Sequence, residues 1–307
     1  MLDPIMKYLR FHDDLQVQLG DSEVCRSGAG HQEPHLNPMP ILSFLNLGGC
    51  LGLREVWRAR GLFRILVMRD LKIKYQRSPI GFIWTLLNPL LTSLILIAVF
   101  TYILKVPVDH YWAFLLSGYF VWNFMSQVLI QSTHLLRDHA NLRRNMAFPS
   151  EILIWSASCS RLLEFLIEIG LVMIGLVVFH HQGIPSSLLL FPLLIIIQVI
   201  LTVGFMFPLS TLSVFFHDVS YALPVVIFTL FYISPVFYPM NIIPEVVRPY
   251  YFLNPFAGIL TLYHTVLYDG LWPSVAMISS IFIGAMVICV IGFAIFNRFK
   301  NACVEIA

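Results

Sequence analysis

Charge is what this sequence has least of. Asp, Glu, Lys and Arg make up 12% of its 307 residues, about half the share of an ordinary soluble domain. With hydrophobic residues at 58%, that deficit excludes a soluble globular fold and implies an integral membrane protein. The five cysteines are odd in number and show no C-x-x-C spacing, so no disulfide framework is expected. The first forty residues contain no apolar core followed by a small-residue cleavage site, so no secretory signal peptide is expected either. None of the five lysines follows a glycine, which excludes a G-x-x-x-x-G-K-[ST] loop and makes the chain unable to serve as its own P-loop ATPase. The adjacent His180 and His181 lack further ligands at metal spacing, and there is no G-x-S-x-G elbow. Neither a metal site nor catalysis by this chain is therefore expected. Internal repeats and low-complexity segments are absent as well.

What the chain does have is a series of long apolar runs. They predict an all-α integral membrane fold with six spans, at about 80–104, 111–136, 152–179, 187–216, 219–238 and 271–296. The 19 Lys and Arg are unevenly placed around these runs: Lys105 and Arg248 fall on one side, Arg161 lies inside a run, and the other 16 share the opposite side. Under the positive-inside rule the basic side is cytosolic, which puts both termini inside. Residues 1–53 read as a cytosolic tail and approach segment, partly disordered on composition. The apolar stretch Pro40 to Leu53 is too short to span and is broken by Gly48, Gly49 and Gly52. The membrane domain is expected over 79–300, with a cytosolic C-terminus at 301–307.

Before the first span, residues 54–78 read as an interfacial amphipathic helix. Arg54, Arg58, Arg69 and Lys72 share one arc, with Val56, Phe63, Leu66, Val67 and Leu71 roughly opposite, although Arg60, Lys74 and Ile65 break the pattern. Its last turns carry Arg69, Lys72, Lys74 and Arg77 against a single acid, Asp70, directly beside the membrane. Two readings of that row stand: donors for the phosphate oxygens of an anionic substrate, or charges that meet anionic lipid and fix topology.

Polar groups inside the spans are few. In span two Asn123, Ser126, Gln127, Gln131 and Ser132 need partners, so that helix should face other helices or a lumen. Span three carries Arg161, Glu164 and Glu168 at spacings of three and four, on one helical face. That face is either a local ion pair that locks helix packing or a polar patch lining a substrate route. Between spans five and six, Pro244, Pro249 and Pro255 cut the chain into pieces too short to cross, rich in aromatics that include Tyr238, Tyr251, Phe256 and Tyr263. Short re-entrant helices fit such a segment, because irregular backbone at membrane depth must be buried in protein or line a cavity. With Tyr232, these rings are candidates to line an exit route, by stacking and by hydrogen bonding through their hydroxyls, or to form an interfacial belt.

Taken in order, several of these motifs resemble the ABC-2 permeases, in the branch that exports cell-surface polysaccharides such as O-antigen, capsule and teichoic acid. The resemblance rests on Arg69-Asp70-Leu71-Lys72, Tyr75, Arg77-Ser78-Pro79-Ile80-Gly81 and Trp84, then Asn88-Pro89. It continues with Phe148-Pro149-Ser150-Glu151, Ser234-Pro235-Val236, Tyr238, Ile243-Pro244 and Asn254-Pro255. It covers about residue 54 onward. It implies a homodimer in the bacterial inner membrane, working with a separate nucleotide-binding ATPase subunit and a lipid-linked glycan. ATP and Mg would be bound on that partner, no cofactor is expected on this chain, and no nucleic-acid partner is implied. It further implies that the loop with Arg143, Arg144, Asn145, Met146, Phe148 and Pro149 is the coupling helix that engages the ATPase. Two positions depart from the family pattern, His217 and His264 standing where arginine is common. Any role there becomes pH-sensitive if these imidazoles titrate near neutrality.

Other functional classes remain open on the sequence: an ABC-2 exporter of drugs or lipids, a membrane-embedded glycosyl- or acyltransferase using Glu164, Glu168 or a histidine, and an ion-coupled secondary transporter.

Overall fold

The computed structural model describes residues 53–76, 81–139, 149–180, 184–244, 246, 251 and 254–306. The expected tail, Arg77 and most of the expected coupling loop, including Arg143, Arg144, Asn145, Met146 and Phe148, lie outside the described residues. Every element among the described residues is helical. The elements are α1 (Leu53–Arg58), α2 (Arg60–Gln76), α3 (Gly81–Ala98), α4 (Tyr111–Asp138), α5 (Glu151–Gly175), α6 (Phe191–Phe215), α7 (Val219–Ile233), α8 (Pro255–Tyr263) and α9 (Val275–Ile306). Helices α3, α5 and α8 each run on into a wider π turn, ending at Ile103, His180 and Tyr268, and a short 3₁₀ turn leads into α6.

Five of these helices, α3 to α6 and α9 with their extensions, are long and apolar enough to cross a membrane. Helix α4 is the axis of the bundle. Of its span 72% is buried, against 11–39% for the other four, and α3, α5, α6, α7 and α8 all pack on it. Of its polar run Ser132 is buried, Asn123, Ser126 and Gln131 are half-buried, and Gln127 is exposed.

Helix α7 has 15 residues and stops at Ile233, five short of the expected end of span five. The cause is local: the residue before a proline avoids the α region, and Ser234, which precedes Pro235, is extended at φ −88°, ψ 147°. The last long helix begins at Val275, after Gly270 turns the chain at φ 67°, and continues to Ile306, well past the expected end of span six. Ahead of the first span, α1 and α2 divide near Ala59. Helix α2 buries Leu66 and Val67 against the bundle while Arg64 and Lys72 stay exposed, the two-faced arrangement its pattern calls for.

One end of the bundle is basic and is tied together by long side chains. Arg69 on α2 donates to His139 at the end of α4, Arg137 donates to the Ser213 carbonyl and to His217 beyond α6, and Lys300 on α9 pairs with Glu151 at 2.8 Å. The opposite end is joined by hydroxyls. Tyr111 donates to the Phe237 carbonyl at 2.8 Å, Tyr268 to the Asp109 carbonyl at 2.6 Å, and Ser187 to the Val266 carbonyl at 3.0 Å. Helix α8, nine residues with a five-residue extension, is too short to cross and is packed inside the bundle against α4, α6 and α9.

Candidate functional site

Two polar cavities lie within the bundle. The larger, about 440 Å³, lies between α3, α4 and α5 and is open on one side, with Trp84 and Asn88 exposed. From α5 it receives Arg161, Glu164 and Glu168, which one helical face brings together as their spacing requires. Arg161 donates to Glu164 at 2.9 Å and to Gln131 of α4 at 3.0 Å. Glu164 and Glu168 are both buried. The ion pair and the polar lining are therefore one feature, and the two sequence readings of this face are compatible.

The other walls were not evident from the α5 pattern. Helix α4 contributes Tyr119, Asn123 and Gln127, and α3 contributes Trp84, Asn88 and Pro89. Phe124 and Phe165 close the apolar side. Asn123 and Gln127 stand out in the sequence by their polarity, whereas Tyr119 reads as ordinary apolar filling until the helices are placed. The result is a chamber at membrane depth with indole, phenol, amide, guanidinium and carboxyl groups, a donor and acceptor set suited to hydroxyl-rich ligands. Polar and ionisable side chains at that depth are costly unless paired or turned to a cavity; here they are both.

The second cavity, about 270 Å³, opens at the non-basic end. Tyr238, Met240, Phe114 and Tyr268 supply its apolar and aromatic surface, Asp109 and Asp269 its carboxyls, and Thr261 and Thr265 its hydroxyls. The motif residues around it have structural reasons. Asn254 caps α8 by accepting the Phe256 N–H at 3.0 Å, with Pro255 in the first turn. Its amide donates to the Ser234 hydroxyl at 2.9 Å, so the Ser-Pro and Asn-Pro motifs hold each other. Tyr238 gives its single proton to the end of α7, at 2.9 Å from the Ile233 carbonyl, and accepts from the Tyr251 hydroxyl at 2.9 Å. Burial pushes the Tyr238 phenol above its usual range.

The remaining expected site residues are dispersed. Tyr263 is fully buried and donates to Gln198 at 2.5 Å; Phe256 is packed between Trp122 and Phe205. Both belong to the core and line neither cavity. Tyr232 is exposed on α7. Arg69 is engaged by Asp70 at 3.1 Å and by His139, whereas Lys72 is exposed. Lys74 falls in the last turn of α2. Pro149 immediately precedes α5. His264, missed as a structural element, is buried beside the second cavity. It donates from Nε2 to the Pro235 carbonyl at 3.0 Å, and burial pushes its pKa down to about 4. Burial therefore disfavours the charged ring at this position. Among the described residues no group of three His, Cys, Asp or Glu side chains could hold a metal ion.

Comparison with known proteins gives a consistent picture. The family model described as ABC-2 type transporter matches residues 61–268. The O-antigen export system permease protein RfbA of Klebsiella pneumoniae is 29% identical over 248 residues, covering 80% of this chain and 95% of that protein. RfbA of Myxococcus xanthus is 28% identical over 222 residues, 72% of this chain and 85% of its own length. The polysialic acid transport protein KpsM of Escherichia coli is 22% identical over 243 residues, 77% and 93% respectively.

Proposed function

The chain belongs to the ABC-2 type transporter family, and from that premise we propose that it is the permease subunit of an exporter carrying a lipid-linked surface polysaccharide across the bacterial inner membrane. The observation that carries this reading is the similarity to O-antigen export permeases over 85–95% of their length. The polar chamber between α3, α4 and α5 gives the reading a physical place for a hydroxyl-rich cargo.

The working unit in this reading is a homodimer with two separate ATPase subunits, which bind ATP and Mg. Each permease subunit spans the membrane six times, with both termini in the cytosol and α7 as the fifth crossing. The basic end then faces the cytosol. The loop with Arg143, Arg144, Asn145, Met146 and Phe148 engages the ATPase. A push on it reaches α2 through the bond from Arg69 to His139, which stands just before that loop. Movement between inward-open and outward-open states is driven only as far as ATP and cargo bind the two states differently. Arg69 is a positioning residue here, and diphosphate contact falls to Lys72, Lys74 and Arg77.

Gene deletion tests the reading. Surface polysaccharide should disappear while its lipid-linked precursor accumulates. A normal surface glycan would sink it, and loss of drug or lipid efflux in its place would favour the other ABC-2 function.

A further inference from the structure

The chamber between α3, α4 and α5 has a definite charge balance. Among the described residues its lining holds one cation, Arg161, and two carboxyls, Glu164 and Glu168. With both acids ionised the sum is +1 − 2 = −1, and with either one protonated it is +1 − 1 = 0. Neither state offers net positive charge. Moreover, Arg161 is already directed at Glu164 and Gln131. An anion entering this chamber would give up water without gaining a countercharge, a transfer that costs far more than that of a hydroxyl able to find a hydrogen-bond partner.

Neutral sugars face no such cost. Carboxyl and amide groups bond ring hydroxyls, while Trp84 and Tyr119 offer flat faces to the apolar side of a pyranose. At about 440 Å³ the volume falls in the usual range of small-molecule sites. The second cavity has the same sign independently: among the described residues its lining includes Asp109 and Asp269 and neither Lys nor Arg.

We propose that the chamber is a subsite for an uncharged pyranose unit of the exported glycan, and that its carboxyls reject a unit bearing carboxylate, sulfate or phosphate. The inference rests on the export reading and narrows its cargo to a neutral repeat. Glu168 is the specificity-determining residue, because replacing it removes one of the two carboxyls and leaves the Arg161 to Glu164 pair in place.

Saturation-transfer NMR on the full-length chain in nanodiscs tests the proposal. The probes are methyl α-glucoside, galactoside and mannoside, each paired with the uronate of the same ring. At least one neutral glycoside should receive saturation, with its uronate receiving at least fivefold less. Tyr119→Ala should lower the neutral signal at least threefold. The near-isosteric Glu168→Gln should raise the uronate signal at least threefold, with gel filtration confirming an intact protein. Equal signals from each pair, no signal from any neutral probe, or unchanged signals in both variants overturn the proposal. A second measurement separates its failure from that of the export reading. If deletion removes a surface polysaccharide whose repeat contains acidic sugars, the neutral-cargo inference fails and export stands; if deletion removes none, export itself fails.

Discussion

His264 illustrates how far a single side chain can be constrained. A carbonyl can only accept, so Nε2 must carry the proton that goes to Pro235, and Nδ1 of the neutral ring lies 3.0 Å from the Ser117 hydroxyl, whose single proton it shares with the Phe114 carbonyl at 2.8 Å. Phe114 stacks on the ring at 4.1 Å. Protonation would place an imidazolium in this enclosure, and the folded-state pKa falls from 6.5 to about 4. The sign follows from proton binding: between those values the unfolded chain binds more protons, so stability is full above about pH 6.5, declines as pH falls toward 4, and loses no more below. The window corresponds to about 3 kcal/mol. Melting of the purified protein should therefore move to lower temperature between pH 7.5 and 5, and His264→Gln should flatten that dependence. The other ionisable groups of the adjoining cavity, Asp109, Asp269, Tyr238 and Tyr268, remain in the variant and serve as the internal control. On the ring's other flank, a Cβ added at Gly118 would come within 2.6 Å of the imidazole. Gly118→Ala should cost ~1–3 kcal/mol by overpacking, read as a lower melting temperature at every pH.

Between elements, the closest approach is that of α6 and α9. A Cβ at Gly292 would lie 2.0 Å from the Gly204 carbonyl oxygen, and one at Gly204 would lie 2.8 Å from Cys289 backbone atoms. Small residues let backbones meet where hydrophobic burial gives helices no preference for each other over lipid. Because backbone atoms cannot rotate away, Gly292→Leu should force the pair apart and lose the folded protein, while Gly284→Leu on the same helix, with nothing within 4 Å, should be tolerated. Equal yields of folded protein from the two variants would refute the close crossing. The same scale shows what was legible in the sequence. Long apolar runs declare themselves, so the long helices and the shared face of Arg161, Glu164 and Glu168 could be read directly. Partners distant in the chain could not. Tyr263 reads as a lumen candidate until Gln198, 65 residues away, takes its hydroxyl, and nothing near Arg69 in the sequence announces His139 beside it. The rotation of α3 about its axis, which brings Trp84 and Asn88 to the chamber, likewise depends on packing that one helix cannot encode.

For the whole molecule, the three ties at the basic end define how force would travel. Glu151 is 1% exposed and meets Lys300 of α9 at 2.8 Å, so the segment that enters α5 is held to the last helix, while Arg69 ties the end of α4 to α2 through His139. Arg137 joins the end of α4 to the end of α6, its cation set against the last carbonyls of that helix where the dipole favours it. A push on the loop between α4 and α5 would therefore be delivered to several helices at once. If that loop is where the ATPase acts, two kinds of variant should separate. Arg144→Ala or Phe148→Ala alters the contact itself: the assembled complex should keep hydrolysing ATP while glycan export falls at least tenfold. Lys300→Met leaves the contact intact but removes the partner of a buried carboxylate, costing ~1–3 kcal/mol of stability. The same loss should be smaller when Glu151→Gln is added, since the neutral amide needs no cation. Measuring ATP turnover, surface glycan and melting temperature on the same set distinguishes coupling from folding. Export that survives Arg144→Ala and Phe148→Ala together would remove the loop from the mechanism and leave the basic-end ties with a purely structural role.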